Sequence, residues 1–192
     1  PFEPERGGAG ETRVKIFGDN FNSVRGSGSV NFGDIEAEIT NWGNTEISVN
    51  VPEGAETGKI KVINGGGYEA LSPNDFFIMK ITSISPERAS GNSFIDVIGK
   101  EFGEELGKVE VAGKEVEVKS WGETQIENET FSIVQVLISN DTESGSVRVI
   151  SSDGGFVTLP SALTVVPTPV ISSFSPIRGG PGNSIVISGS GF

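Results

Sequence analysis

The sequence predicts an all-β chain of consecutive sandwich units. Three observations carry that prediction: an internal repeat, apolar-polar alternations of strand length, and turn-forming residues between them. Ile84-Ser85-Pro86-Glu87-Arg88, followed by Gly91, Gly99 and Phe102, recurs as Phe174-Ser175-Pro176-Ile177-Arg178 with Gly182, Gly189 and Phe192. The chain opens on the same phrase, Phe2-Glu3-Pro4-Glu5-Arg6 with Gly10, Gly18 and Phe21, and Trp42-Gly43-Asn44-Thr45-Glu46-Ile47 returns as Trp121-Gly122-Glu123-Thr124-Gln125-Ile126. Pro4 to Pro86 spans 82 positions and Pro86 to Pro176 spans 90, a period suited to small domains in series. The repeat divides the chain into residues 1–79, a unit lacking its first strand; 80–166, a complete unit; and 167–192, the opening strands of a third.

Within the complete unit, Ile81 and Ile84 begin the first strand, Pro86 stops it, and Phe94 to Ile98 forms the next before Gly99. Val109 and Val111 alternate with Lys108 and Glu110; after Ala112-Gly113-Lys114 the alternation resumes as Val116 and Val118 against Glu115 and Glu117. This reads as a hairpin with one buried and one wet face. The first unit matches it without a gap from Val30 to Trp42, with a turn at Gly33-Asp34. Downstream, Ile47 to Val51 and Ile60 to Val62 correspond to Val134 to Ile138 and Val147 to Ile150. Gly-rich turns follow at Asn64-Gly65-Gly66-Gly67 and Asp153-Gly154-Gly155, where positive φ is cheap. Closing strands end at Phe76-Phe77 and at Leu163 to Val165. About seven short strands per unit point to a sandwich of immunoglobulin type. Glu127 to Ile133 is an insertion of the second unit, expected as a loop.

Composition narrows the function. The 192 residues include no Cys and no His, which removes the thiolate nucleophile, the commonest general base and the commonest metal ligand. No catalytic residue, cofactor or metal site is assigned, and the chain is read as a non-enzyme. A formal net charge of −12 repels phosphate backbones, so nucleic acid is not an expected partner. No apolar stretch approaches the roughly 20 residues that cross a bilayer, and membrane insertion is not expected within this segment. A chain that starts at Pro1 reads as a mature or excised piece.

The order I-S-P, then G, then G-x-x-F, then a V-x-V hairpin, then G-x-V-x-V before a Gly-rich turn resembles the IPT/TIG domain, an E-set immunoglobulin-like module. Plexins and related receptors, Rel-type transcription factors, cyclodextrin glucanotransferases and many microbial surface proteins carry it. The resemblance covers essentially the whole chain. It implies tandem modules of an extracellular or cell-surface protein, serving as a structural or adhesive spacer in a surface or filamentous assembly. The partners implied are other copies of the protein or the rest of a longer array. A second reading is a carbohydrate-binding accessory region of a secreted polysaccharide-active enzyme, with surface glycans as ligand. A DNA-contacting module of Rel type is disfavoured by charge.

Trp42 and Trp121, at matching positions, are expected to pack on the core rather than present a sugar-stacking platform. Asp19, Asn20 and Asn22, or Asp141 and Glu143, supply oxygen ligands of the kind calcium takes, but neither run has the spacing of a cage. Asn128-Glu129-Thr130 and Asn140-Asp141-Thr142 are glycosylation acceptor patterns, making Asn128 and Asn140 the candidate modification sites. Alternating Glu on the hairpins guards exposed strands against uncontrolled pairing.

Overall fold

The computed structural model describes residues 1–192 and is all-β. It contains no helix long and apolar enough to cross a membrane. The first sandwich is built from β1 (Phe2–Glu3), β2 (Arg6–Gly7), β3 (Arg13–Phe17), β4 (Ser29–Phe32), β5 (Ile35–Glu36), β6 (Glu38–Trp42), β7 (Glu46–Asn50), β8 (Gly58–Ile63) and β9 (Glu69–Ile78). One layer runs β1-β3-β7-β6 and the other β2-β9-β8-β4-β5. Pro4 marks where the opening strand changes layers: β1 pairs antiparallel with β3, and β2 pairs parallel with β9. A proline suits this position because it donates no N–H to either ladder.

The second sandwich repeats the plan with β10 (Lys80–Ser85), β11 (Arg88–Ser90), β12 (Ser93–Lys100), β13 (Lys108–Val111), β14 (Lys114–Ile126), β15 (Glu129–Ile138), β16 (Gly145–Ile150) and β17 (Phe156–Val166). Here β14 is one long strand. Its start pairs with β13 and the remainder with β15, so it passes from one layer to the other where the first sandwich breaks at Ala37 between β5 and β6. A hairpin of β18 (Val170–Ser175) and β19 (Val186–Ser190) follows. Its register, including the irregularity between Ile171 and Ser173, copies that of β10 and β12 between Ile81 and Ser83.

Period-two alternation puts one face of each strand inside. Val109, Val111, Val134, Val136, Val147 and Val149 are all fully buried in the second core. The first core gathers around Phe76, whose ring meets Phe2 at 5.9 Å and Phe32 at 5.3 Å in tilted and edge-on contacts. The two cores are separate clusters. The wet faces carry the expected charges in pairs such as the exposed Lys108–Glu115 and the half-buried Arg148–Glu110, which are worth little individually.

The insertion in the second unit is strand rather than loop. Thr124 to Ile126 and Glu129 to Phe131 extend the β14–β15 ladder, and Gln125 Nε2 donates to Thr130 Oγ1 at 2.6 Å. Only Glu127 and Asn128 remain for the turn, both left-handed at φ 49° and 67°, the geometry of a tight hairpin. The extra residues therefore lengthened both arms together, which a ladder permits and a gap in an alignment conceals.

Candidate functional site

The feature that joins the two sandwiches is a built contact rather than a tether. Met79 alone separates β9 from β10. Its side chain belongs to the second core at 1% exposure, while its N–H donates to the carbonyl of Gly7 in the first unit at 3.0 Å. One residue thus serves both units. The β2 end of the first unit then docks on the Gly-rich turn and first residues of β17. Gly8 N–H donates to the Phe156 carbonyl at 2.7 Å, and the hydroxyl of Thr12, 2% exposed, donates to the same oxygen at 2.9 Å.

Around this centre, Glu5 N–H donates to Asp153 Oδ2 at 2.6 Å, Thr158 N–H to Glu11 Oε1 at 3.0 Å, and Arg6 Nη1 to the Glu101 carbonyl at 3.2 Å. Asp153 is held for its role, since its Oδ1 accepts the Gly155 N–H at 3.2 Å and the Ser151 hydroxyl. The guanidinium of Arg6 also lies over the Phe77 ring, 5.3 Å from its centroid. Gly155 is required by close approach: a methyl there would fall on the Arg6 carbonyl, backbone against backbone.

Beside the joint lies a cleft of about 460 Å³ edged by Glu5, Glu101, Glu104, Glu105, Glu123 and Asp153, with Arg6 as the cation. Burial pushes the Glu101 carboxyl above the ordinary glutamate value, Arg6 opposes the shift, and Glu123 adds to it. These carboxylates repel one another and do not converge on a metal cage.

Trp42 and Trp121 occupy matching environments. Each indole is half-buried, tilted on the Phe of its G-x-x-F phrase, at 6.4 Å from Phe21 and 6.2 Å from Phe102. Trp42 Nε1 donates to the Asn22 carbonyl at 3.0 Å and Trp121 Nε1 to the Gly103 carbonyl at 2.7 Å. The rings close the edge of each core and form no shared platform.

The oxygen-rich runs are loop builders. Asn20 and Asn22 sit at φ 63° and 71°; the Asn20 carbonyl accepts Asn64 Nδ2 at 3.0 Å and Asn22 N–H donates to Asn44 Oδ1 at 3.1 Å. The Ser139 hydroxyl holds the Asp141 carboxyl below its ordinary value, and Glu143 pairs with Lys114 at 3.1 Å. No group of three or more acidic side chains is placed to hold a metal. Asn128 and Asn140 both face solvent, the first in the β14–β15 turn and the second just beyond β15.

That the units join almost without a linker is legible in Ile78-Met79-Lys80 running straight into Ile81, but the docking contacts are not: Asp153 and Gly155 read as turn residues, and Gly8 and Thr12 carry no signal. The Thr12 hydroxyl meets a carbonyl 144 positions away, which no local pattern discloses.

The geometry defines immunoglobulin-like β-sandwiches coupled end to end. Residues 2–78 match the family model of the IPT/TIG domain. No curated protein matches the chain. Among solved structures, it is similar to the full extracellular region of plexin A4, with 15% identity over 92% of this chain and 16% of that one, and a TM-score of 0.46. SGBP-B from a complex xyloglucan utilization locus in Bacteroides uniformis shares 18% identity over 84% of this chain and 46% of that one, with a TM-score of 0.36. The Ig tandem domains of titin share 11% identity over 85% of this chain and 92% of theirs, with a TM-score of 0.28. The chain therefore spans less than half the length of the plexin and Bacteroides proteins.

Proposed function

We propose that the chain is a stiff spacer segment built of tandem IPT/TIG modules, with residues 80–166 a second such module and 167–192 the opening of a third. It works in an extracellular surface or filamentous assembly, its neighbours being further modules or other copies of the protein, and Asn128 and Asn140 accept glycans where the host modifies them. The observation that carries this reading is the joint: Met79, buried in one core, donates its N–H to the other unit, and the Phe156 carbonyl takes two donors from across the boundary. A binding module needs a presented site, whereas a spacer needs a fixed angle between units, and the residues here are invested in the angle. The carbohydrate reading called for an aromatic platform, and both tryptophans are instead committed to core edges through their rings and N–H groups.

The test uses the absence of native cysteine, which makes paired labels unique. Spin labels at Asp34→Cys and Lys114→Cys, both exposed, report the angle between the units. A single narrow distance distribution, unchanged by oligosaccharides, is the expected result. A broad distribution spanning tens of ångströms would sink the spacer reading.

A further inference from the structure

The outer face of one layer is built differently in the two sandwiches. In the first, the residues of β3 and β7 that point away from the core pair as Arg13 with Asn50, Lys15 with Ser48 and Phe17 with Glu46, a mostly polar face. The same ladder positions in the second, on β12 and β15, pair Phe94 with Leu137, Asp96 with Gln135 and Ile98 with Ile133. Just beyond, Lys100 Nζ lies over the Phe131 ring, 5.0 Å from its centroid. Phe94 stands 47% exposed. Cross-strand packing alone does not call for these residues, because the first unit holds the same ladder with Arg13, Lys15 and Glu46 in their places.

Both flanks of this apolar ridge are small. On β10, Ser83 and Ser85 stand opposite Ile98 and Asp96; on β14, Ser120 and Gly122 stand opposite Gln135 and Ile133. The polar pair in the middle is already matched, since Gln135 Nε2 donates to Asp96 Oδ1 at 2.9 Å, so covering it does not orphan that donor.

We propose that this face binds the same face of a second copy, the two sheets packing across a two-fold axis that runs along the strands between β12 and β15. Such an axis lays β12 of one copy over β15 of the other. Ile98 then meets Ile133, Phe94 meets Leu137, Asp96 meets the Gln135 amide, and Lys100 reaches the Phe131 ring, each across the boundary. The borders fit too. β10 comes over β14, small residues facing small ones, which lets the sheets close to the usual spacing of about 10 Å. Because the ladder pairs like with like, the face is complementary to itself, and this favours a second copy over an unlike partner. Four strands about 4.8 Å apart and seven residues at about 3.3 Å each give roughly 450 Å² per copy. Two copies bury about 900 Å², a size that suits a weak, reversible contact repeated along an array. The contact rests on the assembly reading above for its like neighbour and assigns the face that makes it.

The test is dilution of the full chain from about 1 mM to about 10 μM in roughly 0.15 M salt, which screens the net charge of −12, followed by sedimentation and amide chemical shifts. The expected result is a reversible dimer with a Kd of about 0.1–1 mM and shift changes centred on Ile98, Ile133 and Gln135. Phe94→Arg and Leu137→Asn install the residues that the first unit carries at matching positions, Arg13 and Asn50. Each should weaken association by about tenfold or more with both sandwiches still folded, whereas Lys15→Ala on the first unit's face should leave it unchanged. A chain that is monomeric at about 1 mM, dilution shifts that map elsewhere, or association that survives both variants overturns the proposal. So does cellohexaose shifting these amides in a chain that dilution leaves unchanged, which would give the face to a glycan. A monomeric chain whose spin-label distance stays narrow would sink the lateral contact alone and leave the spacer reading standing.

Discussion

Gly155→Ala offers the sharpest test of the joint. The added methyl would land within the contact distance of the Arg6 carbonyl, and because both partners are backbone, no rotamer change relieves the overlap. The units must part, and parting releases the bonds from Gly8 N–H and the Thr12 hydroxyl to the Phe156 carbonyl. Two buried hydrogen bonds at roughly 1 kcal/mol net each, plus lost cover over Val157, give about 2–3 kcal/mol. The three outer bonds, from Glu5, Thr158 and Arg6, are solvent-screened and add little. For a chain of this length the loss lowers the melting midpoint by about 5–10 °C. Calorimetry should show one transition becoming two as the units uncouple, and small-angle scattering should show the interdomain angle broadening. The control is Gly154→Ala: Gly154 has φ 92° with nothing near its Cβ, so the substitution adds local strain of about 1 kcal/mol and leaves the joint shut. If Gly155→Ala behaves as Gly154→Ala does, the joint has no energetic role and the reasoning fails.

Further substitutions separate the contributions. Thr12→Val keeps shape but removes the shared hydroxyl, and should cost about 1 kcal/mol in urea denaturation without changing the scattering profile. Glu101→Gly should stabilise by about 0.5–1 kcal/mol, because Glu101 sits at φ 62° where the equivalent positions are Asn20 and Gly191. It should also flatten a pH dependence: the raised Glu101 value means the native protein gains stability as pH falls from the raised folded value to the ordinary glutamate value, and the variant lacks that gain. Matched urea titrations across that interval check the sign. Phe102→Ala empties a position of 0% exposure and should cost about 3–5 kcal/mol, making the second sandwich melt first by domain-resolved hydrogen exchange.

Much of the sandwich plan was legible because alternation with period two is a direct imprint of a half-buried strand. Val109, Val111, Val147 and Val149 were placed inside by that pattern, and all are fully buried. The G-x-x-F phrase was legible as a repeat, but its reason was not. Gly99 and Gly189 are small because a backbone carbonyl lies on them, a fact about a strand some eighteen residues upstream. The insertion was misjudged because a loop and a lengthened hairpin consume the same residues; Gln125 against Thr130 decides it only once the strands are paired. The lack of a linker at the joint was legible in Ile78-Met79-Lys80, but its contacts were not: every cross-unit bond, from Gly8, Thr12, Glu5, Thr158 or Arg6, has a backbone group on at least one side, so no complementary pair of side chains marks it in the sequence.

The two junctions in the chain are restrained by different physics, and the difference is measurable. The first holds through burial of Met79 and cross-unit hydrogen bonds, so it shares the cooperative stability of both sandwiches. The second is Pro167-Thr168-Pro169 between β17 and β18, all exposed, with a carbonyl contact from Thr168 to the backbone at Gly191. Its restraint is mainly covalent, since each proline fixes φ near −65° and favours extended chain. Replacing Pro167 and Pro169 by Gly should therefore increase the nanosecond mobility of the hairpin from residue 170 onward, read as lowered NMR order parameters, while the melting of the two sandwiches stays within about 1 °C. Gly155→Ala should do the opposite, shifting the melt while leaving the hairpin's order parameters alone. If the double glycine variant lowers the melting midpoint as Gly155→Ala does, the hairpin is packed on the second sandwich through contacts that its uniformly exposed residues do not display, and the distinction between the two joints falls.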